Sequence, residues 1–277
     1  MIAPPRTVGF TLVELAIVLV IIALLVAGVL VGQDLIRAAE INATNVQITK
    51  FDAAASTFRT KYRGYPGDLR NARDYPLAVT GHTGLSGLGN GDNVIQPGNC
   101  TNPNGYGGES ALFWTHLSQA NLIPDAARAI TDYAAVAALT ITDDHMPAAR
   151  LGNGNRFHLT NAGGRNYYVL AGFTATSATS CTLAASDRMT PQTAFQLDSK
   201  IDDGNAMTGM MISVIDGGSP LIDNSSTATA IASGGGSTTP DATGTDDCFV
   251  GTTGAYATTT ESLSQAMQCQ LRMRTSF

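Results

Sequence analysis

Charge is scarce along this chain. Asp, Glu, Lys and Arg make up 14% of its 277 residues, and 22 acids against 16 bases leave a net charge of −6. So sparse and acidic a surface offers no broad footprint for a polyanion, and nucleic acid is not an expected partner. Paired cysteine motifs are missing too. Cys100, Cys181, Cys248 and Cys269 include no Cys-x-x-Cys, which removes the usual spacing of structural zinc and dithiol redox centres. His82, His116, His145 and His158 are scattered, and none belongs to a His-Glu-x-x-His pair. Gly84-Leu85-Ser86-Gly87 falls one residue short of a Gly-x-Ser-x-Gly elbow. Gly87-Leu88-Gly89-Asn90-Gly91 does not lead from a strand into a helix, as a dinucleotide loop must. The chain is therefore not expected to be an enzyme.

Proline is absent between Pro5 and Pro66, so nothing there forbids one long helix. Within that interval, residues 10–32 form a 23-residue run in which Glu14 is the only charge. As a helix it is roughly 34 Å long, against about 30 Å for a bilayer core. A carboxylate in hydrocarbon costs about 2.5–3.5 kcal/mol even on the mild insertion scale. Glu14 therefore needs a partner. An ordinary secretory signal would have a basic start, a shorter apolar core and a small-x-small cleavage site. Here only Arg6 precedes the run, the core is longer, and Glu14 interrupts it. Loop charges do not orient the span, because Arg37, Asp34 and Glu40 follow it closely.

Gly9-Phe10-Thr11-Leu12-Val13-Glu14-Leu15 resembles the processing site of type IV prepilins and type II secretion pseudopilins. The resemblance implies a leader of residues 1–9, cut by a prepilin peptidase between Gly9 and Phe10, with methylation of the new Phe10 amine. It implies a single span in the bacterial inner membrane, N-terminus in the cytoplasm and head in the periplasm. An assembly platform there would then draw subunits into a filament, a pilus or pseudopilus, among homologous pilin or pseudopilin subunits. Glu14 would neutralise the Phe10 amine of a neighbour, setting axial register while apolar contact supplies most of the attraction. One departure stands out. Many pilins carry a proline midway along this helix, and here only Gly28 and Gly32 offer soft points.

Beyond the span, residues 33–63 continue the helix with an amphipathic stripe of Ile41, Thr44, Ile48, Phe51, Ala55, Phe58 and Tyr62. Asn42, Asn45, Gln47, Lys50, Asp52 and Arg59 lie between them as the polar face. The helix is expected to stop near Arg63, with Gly64 as its cap and Pro66 beyond. Residues 64–277 form the head. Tyr65-Pro66-Gly67-Asp68-Leu69 reads as a tight turn in which Asp68 bonds the turn's own amides, and it resembles a Pro-Gly-Asp segment of pilin-like proteins.

The head reads as helices at 109–121, 126–139 and 191–202, and strands at 156–160, 166–173, 207–215 and 269–274. Gly163-Gly164 forms the hairpin connection. Residues 216–247, dominated by Gly, Ser, Thr, Ala and Asp, read as an insertion with little to bury. The fold class is α+β, and the resemblance makes it pilin-like: a long N-terminal α-helix on a small antiparallel β-sheet, with loops and extra helices.

In an oxidising periplasm four cysteines make two disulfides, with three connectivities open. Cys248 lies just before the last strand and Cys269 upon it, which favours Cys248–Cys269 and leaves Cys100–Cys181. Major pseudopilins bind calcium in their heads, so the resemblance makes Asp198, Asp202 and Asp203 candidate calcium ligands; Asp92 is a candidate from the oxygens of its own loop, and Asp68 a candidate for a metal site. Gly89-Asn90-Gly91-Asp92-Asn93 alternates oxygen ligands but lacks the spaced acids and terminal Glu of an EF-hand, so a plain Gly-Asn turn is the alternative. For Asp198-Ser199-Lys200-Ile201-Asp202-Asp203 the favoured reading is an Asp–Lys surface network with helix-end turn chemistry. Three functional classes follow: a structural filament subunit, minor or accessory given its large head; an adhesin or tip subunit binding through loops 80–108 and 216–247; and, against the absence of catalytic motifs, a membrane-tethered enzyme.

Overall fold

A computed structural model describes residues 11–77, 89–96, 108–124, 139–176, 183–186, 188–214, 248–250, 254–258 and 269–277. The leader, Gly9, Phe10, Cys100, Cys181, the helix expected at 126–139, the insertion 216–247 and most of loop 80–108 lie outside these residues. The proposed Cys100–Cys181 pair lies there with them.

One helix dominates. α1 (Leu12–Tyr62) is 51 residues without a break, about 77 Å at the standard rise. Its two halves have opposite environments. Every large apolar side chain from Leu12 to Ile36 is more than half exposed, and residues 33–39 remain exposed as well. Burial begins at Ile41 and recurs at Thr44, Gln47, Phe51, Ala54, Ala55, Phe58 and Tyr62. The expected stripe is largely this one, with Ile48 half-buried at its edge. Gln47 departs from the expectation. Far from being on a solvent face, it is buried, donating to the Ala148 carbonyl at 2.8 Å and accepting the Arg150 amide at 3.0 Å. The helix end also differs: Arg63 itself takes the left-handed cap, with φ 61°. Gly64 lies just beyond the cap, where a Cβ would meet the Leu69 Cδ1 methyl at 2.7 Å and that side chain would have to shift.

After a short 3-10 turn at Ala72–Asp74 comes α2 (Gly108–Gln119), whose residues from Glu109 through Leu117 are all buried. β1 (Arg156–Ala162) and β2 (Arg165–Thr176) form an antiparallel hairpin in full register. Gly163 and Gly164 both have positive φ, as a two-residue primed turn requires. β3 (Leu183–Ser186) pairs with the far end of β2, and α3 (Pro191–Ile201) follows, capped by Thr190. β4 (Met211–Val214), the small ladder β5 (Phe249–Val250) and β6 (Ala255–Tyr256), and β7 (Gln270–Arg274) complete the described elements. The main sheet runs β1-β2-β7-β4, so the last strand in sequence sits inside it.

β4 starts four residues later than the expected strand at 207–215. The intervening segment is a turn, and the Met210 and Met211 amides are drawn to the Asp202 carboxylate. β2 is buried on both faces. Tyr168 and Leu170 join the core beneath α1, while Val169, Ala171 and Phe173 join a second, smaller core with Ile141 and Met146. At the centre of the larger core, Phe51 meets Trp114 at 4.9 Å and Phe157 at 5.3 Å, both edge-on. Such pairs add about 0.5–1.5 kcal/mol each beyond their burial. They lock the second half of α1, α2 and the sheet into one body.

Candidate functional site

Three groups of acids carry the chemistry of this chain, each positioned differently. The first is Glu14 at the start of α1. Thr11 is the N-cap, with extended backbone, and its hydroxyl accepts the Glu14 amide at 3.3 Å. Glu14 Oε2 reaches back to the Thr11 amide at 2.8 Å and its hydroxyl at 2.7 Å. This is a capping box, in which two helix-end donors are satisfied reciprocally. Within one chain, then, the carboxylate already has a local partner at the helix start. Thr11-Leu12-Val13-Glu14 carries the Thr-x-x-Glu capping spacing ahead of an apolar run, so Thr11 has a local sequence signal.

The second group holds a loop. Asp68, after α1, accepts the amides of Gly91 and Asn93 at 2.5 and 2.7 Å. Glu109, in the first turn of α2, accepts those of Asn90 and Gln96 at 2.9 and 2.8 Å. Arg70 Nε donates to the Asn90 carbonyl, and Asn166 bonds both Ile95 and Asn93. Asp68 therefore does not cap its own turn; it clamps a segment more than twenty residues away. Asp92 is occupied locally, accepting from Asn90 Nδ2, the Val94 amide and Gln96 Nε2. Burial pushes the Glu109 carboxyl up to about 7, against its two amide donors, with Asp68 and Asp92 adding to the rise. Four carboxylate oxygens on four amides make this cluster a structural clamp.

The third group stands at the end of α3. Asp198, Asp202 and Asp203 each bring a carboxylate oxygen within 4.8 Å of the others. Asp92 is not part of this group, so the four candidate calcium ligands divide into two places. Asp202 Oδ2 takes the Met210 and Met211 amides. Asp203 takes the Asn205 amide at 2.9 Å and the Thr208 hydroxyl at 2.7 Å. Asp198 is fully buried; Oδ2 accepts the Tyr256 hydroxyl at 2.8 Å, while Oδ1 has no hydrogen-bond partner. Among the described residues no Lys or Arg pairs with any of the three. Lys200 does not form the expected network with them. Burial pushes Asp198 up to about 6, with Asp203 and Asp202 adding to the rise and the Tyr256 hydroxyl and nearby Gly204 amide opposing it.

These donors suit a hard cation. Oxygens on one calcium ion, at 2.3–2.6 Å from it, lie no more than about 5 Å apart. A buried carboxylate oxygen with no donor costs about 1–3 kcal/mol or more, and an ion would relieve it. His116 and His158 are buried in the core, whereas His145 is half-buried at the surface. His116 Nδ1 accepts the Gly67 amide at 3.0 Å, His145 bonds Thr142, and burial pushes His158 down to about 3. His82 lies outside the described residues.

Against protein-family models, curated proteins and solved structures, the chain finds no match.

Proposed function

We propose that the chain is a structural subunit of a pilin-like filament. It is processed between Gly9 and Phe10 and held in the bacterial inner membrane by its apolar helix, with the head in the periplasm. It is then drawn into a type II secretion pseudopilus or type IV pilus as a minor or accessory subunit, beside homologous subunits. The observation that carries this reading is Glu14, one acid at the start of a helix long and apolar enough to cross a bilayer, none of whose most apolar window is buried within the chain. So large an exposed apolar surface needs lipid or other helices around it. In lipid a bare acid is costly, whereas in a helix bundle a neighbour's Phe10 amine offsets it.

Glu14→Ala tests this. Membrane insertion should persist while incorporation into filaments stops. Normal incorporation of the variant refutes the pairing role, and an intact nine-residue leader on protein from its native host refutes the processing step.

The same head takes a calcium ion on Asp198, Asp202 and Asp203. The ion supplies positive charge to three carboxylates that no described Lys or Arg pairs with, and reinforces the end of α3 against the turn leading into β4. Isothermal titration of the full chain in detergent, after chelator treatment, should show binding that Asp198→Asn removes. Absence of heat with the native chain refutes the cation.

A further inference from the structure

We infer that the Cys248–Cys269 disulfide and this cation site are energetically coupled, with Tyr256 as the positioning residue between them; the inference rests on the cation reading above. The connection is continuous. Cys269, beside β7, donates its amide to the Met189 carbonyl at 3.0 Å, next to the cap of α3. Its disulfide to Cys248 spans 21 residues, with the Cα atoms 5.0 Å apart. Cys248 opens the β5–β6 ladder, in which Phe249 pairs with Tyr256 and Val250 with Ala255, and its carbonyl accepts the Ala257 amide at 3.0 Å.

That ladder touches the acidic cluster at two points. The Tyr256 hydroxyl donates to Asp198 Oδ2 at 2.8 Å, and the Gly254 carbonyl accepts the Ala206 amide at 2.8 Å, three residues after Asp203. With Oδ2 taken by the phenol, Oδ1 is the oxygen left to face an ion. Asp203 is held by its own turn, and Asp202 by the Met210 and Met211 amides at the start of β4. Asp198 alone depends on a distant element for its orientation.

The dependence is physical because the ladder is too small to hold itself. Two residue pairs, separate from the main sheet, are marginal in water. The disulfide fixes one end of it. Coupling between two sites is reciprocal, so the crosslink should tighten cation binding and the cation should protect the crosslink by the same factor. Reduction puts two electrons and two protons onto Cys248 and Cys269, and dithiothreitol is the reductant, closing to its cyclic disulfide.

The test uses the full chain in detergent, stripped with chelator and titrated with calcium chloride. Replacing both cysteines, Cys248→Ser with Cys269→Ser, should weaken calcium about tenfold. Tyr256→Phe, with the disulfide intact, should weaken it about threefold. Saturating calcium should slow dithiothreitol reduction of Cys248–Cys269 in the native chain, followed by peptide-resolved thiol labelling, and should slow it less in Tyr256→Phe. A native chain that binds no calcium overturns the cation reading and the coupling with it. A native chain that binds calcium, with Tyr256→Phe binding equally well and reduction unchanged by the ion, overturns the coupling alone. Should the double cysteine variant fail to fold, the Tyr256→Phe titration and the reduction rates still decide.

Discussion

The amide of Gly67 donates to Nδ1 of His116 at 3.0 Å, and the same imidazole lies stacked on Phe58, with ring centroids 5.8 Å apart. One ring thus ties the turn after α1 to α2 and to the last buried turns of α1. It explains why the chain reverses here so tightly. A Cβ on Gly67 would sit 2.2 Å from the Glu109 carbonyl oxygen, and its φ is +83°.

Gly67→Ala should therefore destabilise the head by about 2 kcal/mol or more, combining left-handed strain with a backbone clash. Gly152→Ala is the matched control: its φ is +74°, but nothing lies within 4 Å of the added carbon. It should cost only about 1 kcal/mol. Denaturant midpoints of the two variants compare them directly, and equal losses would refute the close-packing account of the turn.

Gln47 gives a second prediction. Truncation to Ala removes a buried side chain that satisfies the Ala148 carbonyl and the Arg150 amide together. The loss should be about 1 kcal/mol, since two hydrogen bonds are lost but water can reach the Ala148 and Arg150 backbone at the surface. Thermal unfolding of the head would register it, while the apolar first half of α1 stays helical by circular dichroism.

Glu109 sets a pH dependence. Its carboxyl titrates near 7 in the fold, mainly because it is buried, against an ordinary value of 4.5. Between those values the folded state binds more protons than the unfolded one, so stability falls as pH rises through that window. Above about 7 the ionised acid remains a cost to the fold. Glu109→Gln should flatten this part of the stability profile, measured as the denaturant midpoint from pH 4 to 8. An unchanged slope would show that Glu109 is not its source.

Glu14→Gln separates two roles that Glu14→Ala leaves joined. Glutamine at this position still closes a capping box with Thr11 but carries no charge. Incorporation into filaments should fail as completely as with alanine. Filaments assembled at native levels by Glu14→Gln would mean that capping, not charge, is what Glu14 supplies.

Much of this architecture is local and therefore written in the chain. The run from Leu12 to Gly32, the three-and-four spacing of Ile41, Phe51, Phe58 and Tyr62, the proline behind Thr190, and Gly163-Gly164 between alternating residues each specify an element from nearest neighbours alone. The Cys248–Cys269 disulfide was legible for a similar reason, its partners being 21 residues apart at one end of the chain. The partners of the acids were not legible. Asp68 clamps loop 89–96, Gln47 reaches residues more than a hundred positions away, and Tyr256 crosses 58 positions to meet Asp198. Periodicity tells which face of a helix or strand is dry, because burial repeats with the backbone. Which carboxylate receives which donor is settled only when packed elements bring distant atoms within about 3 Å, and no local pattern encodes that distance.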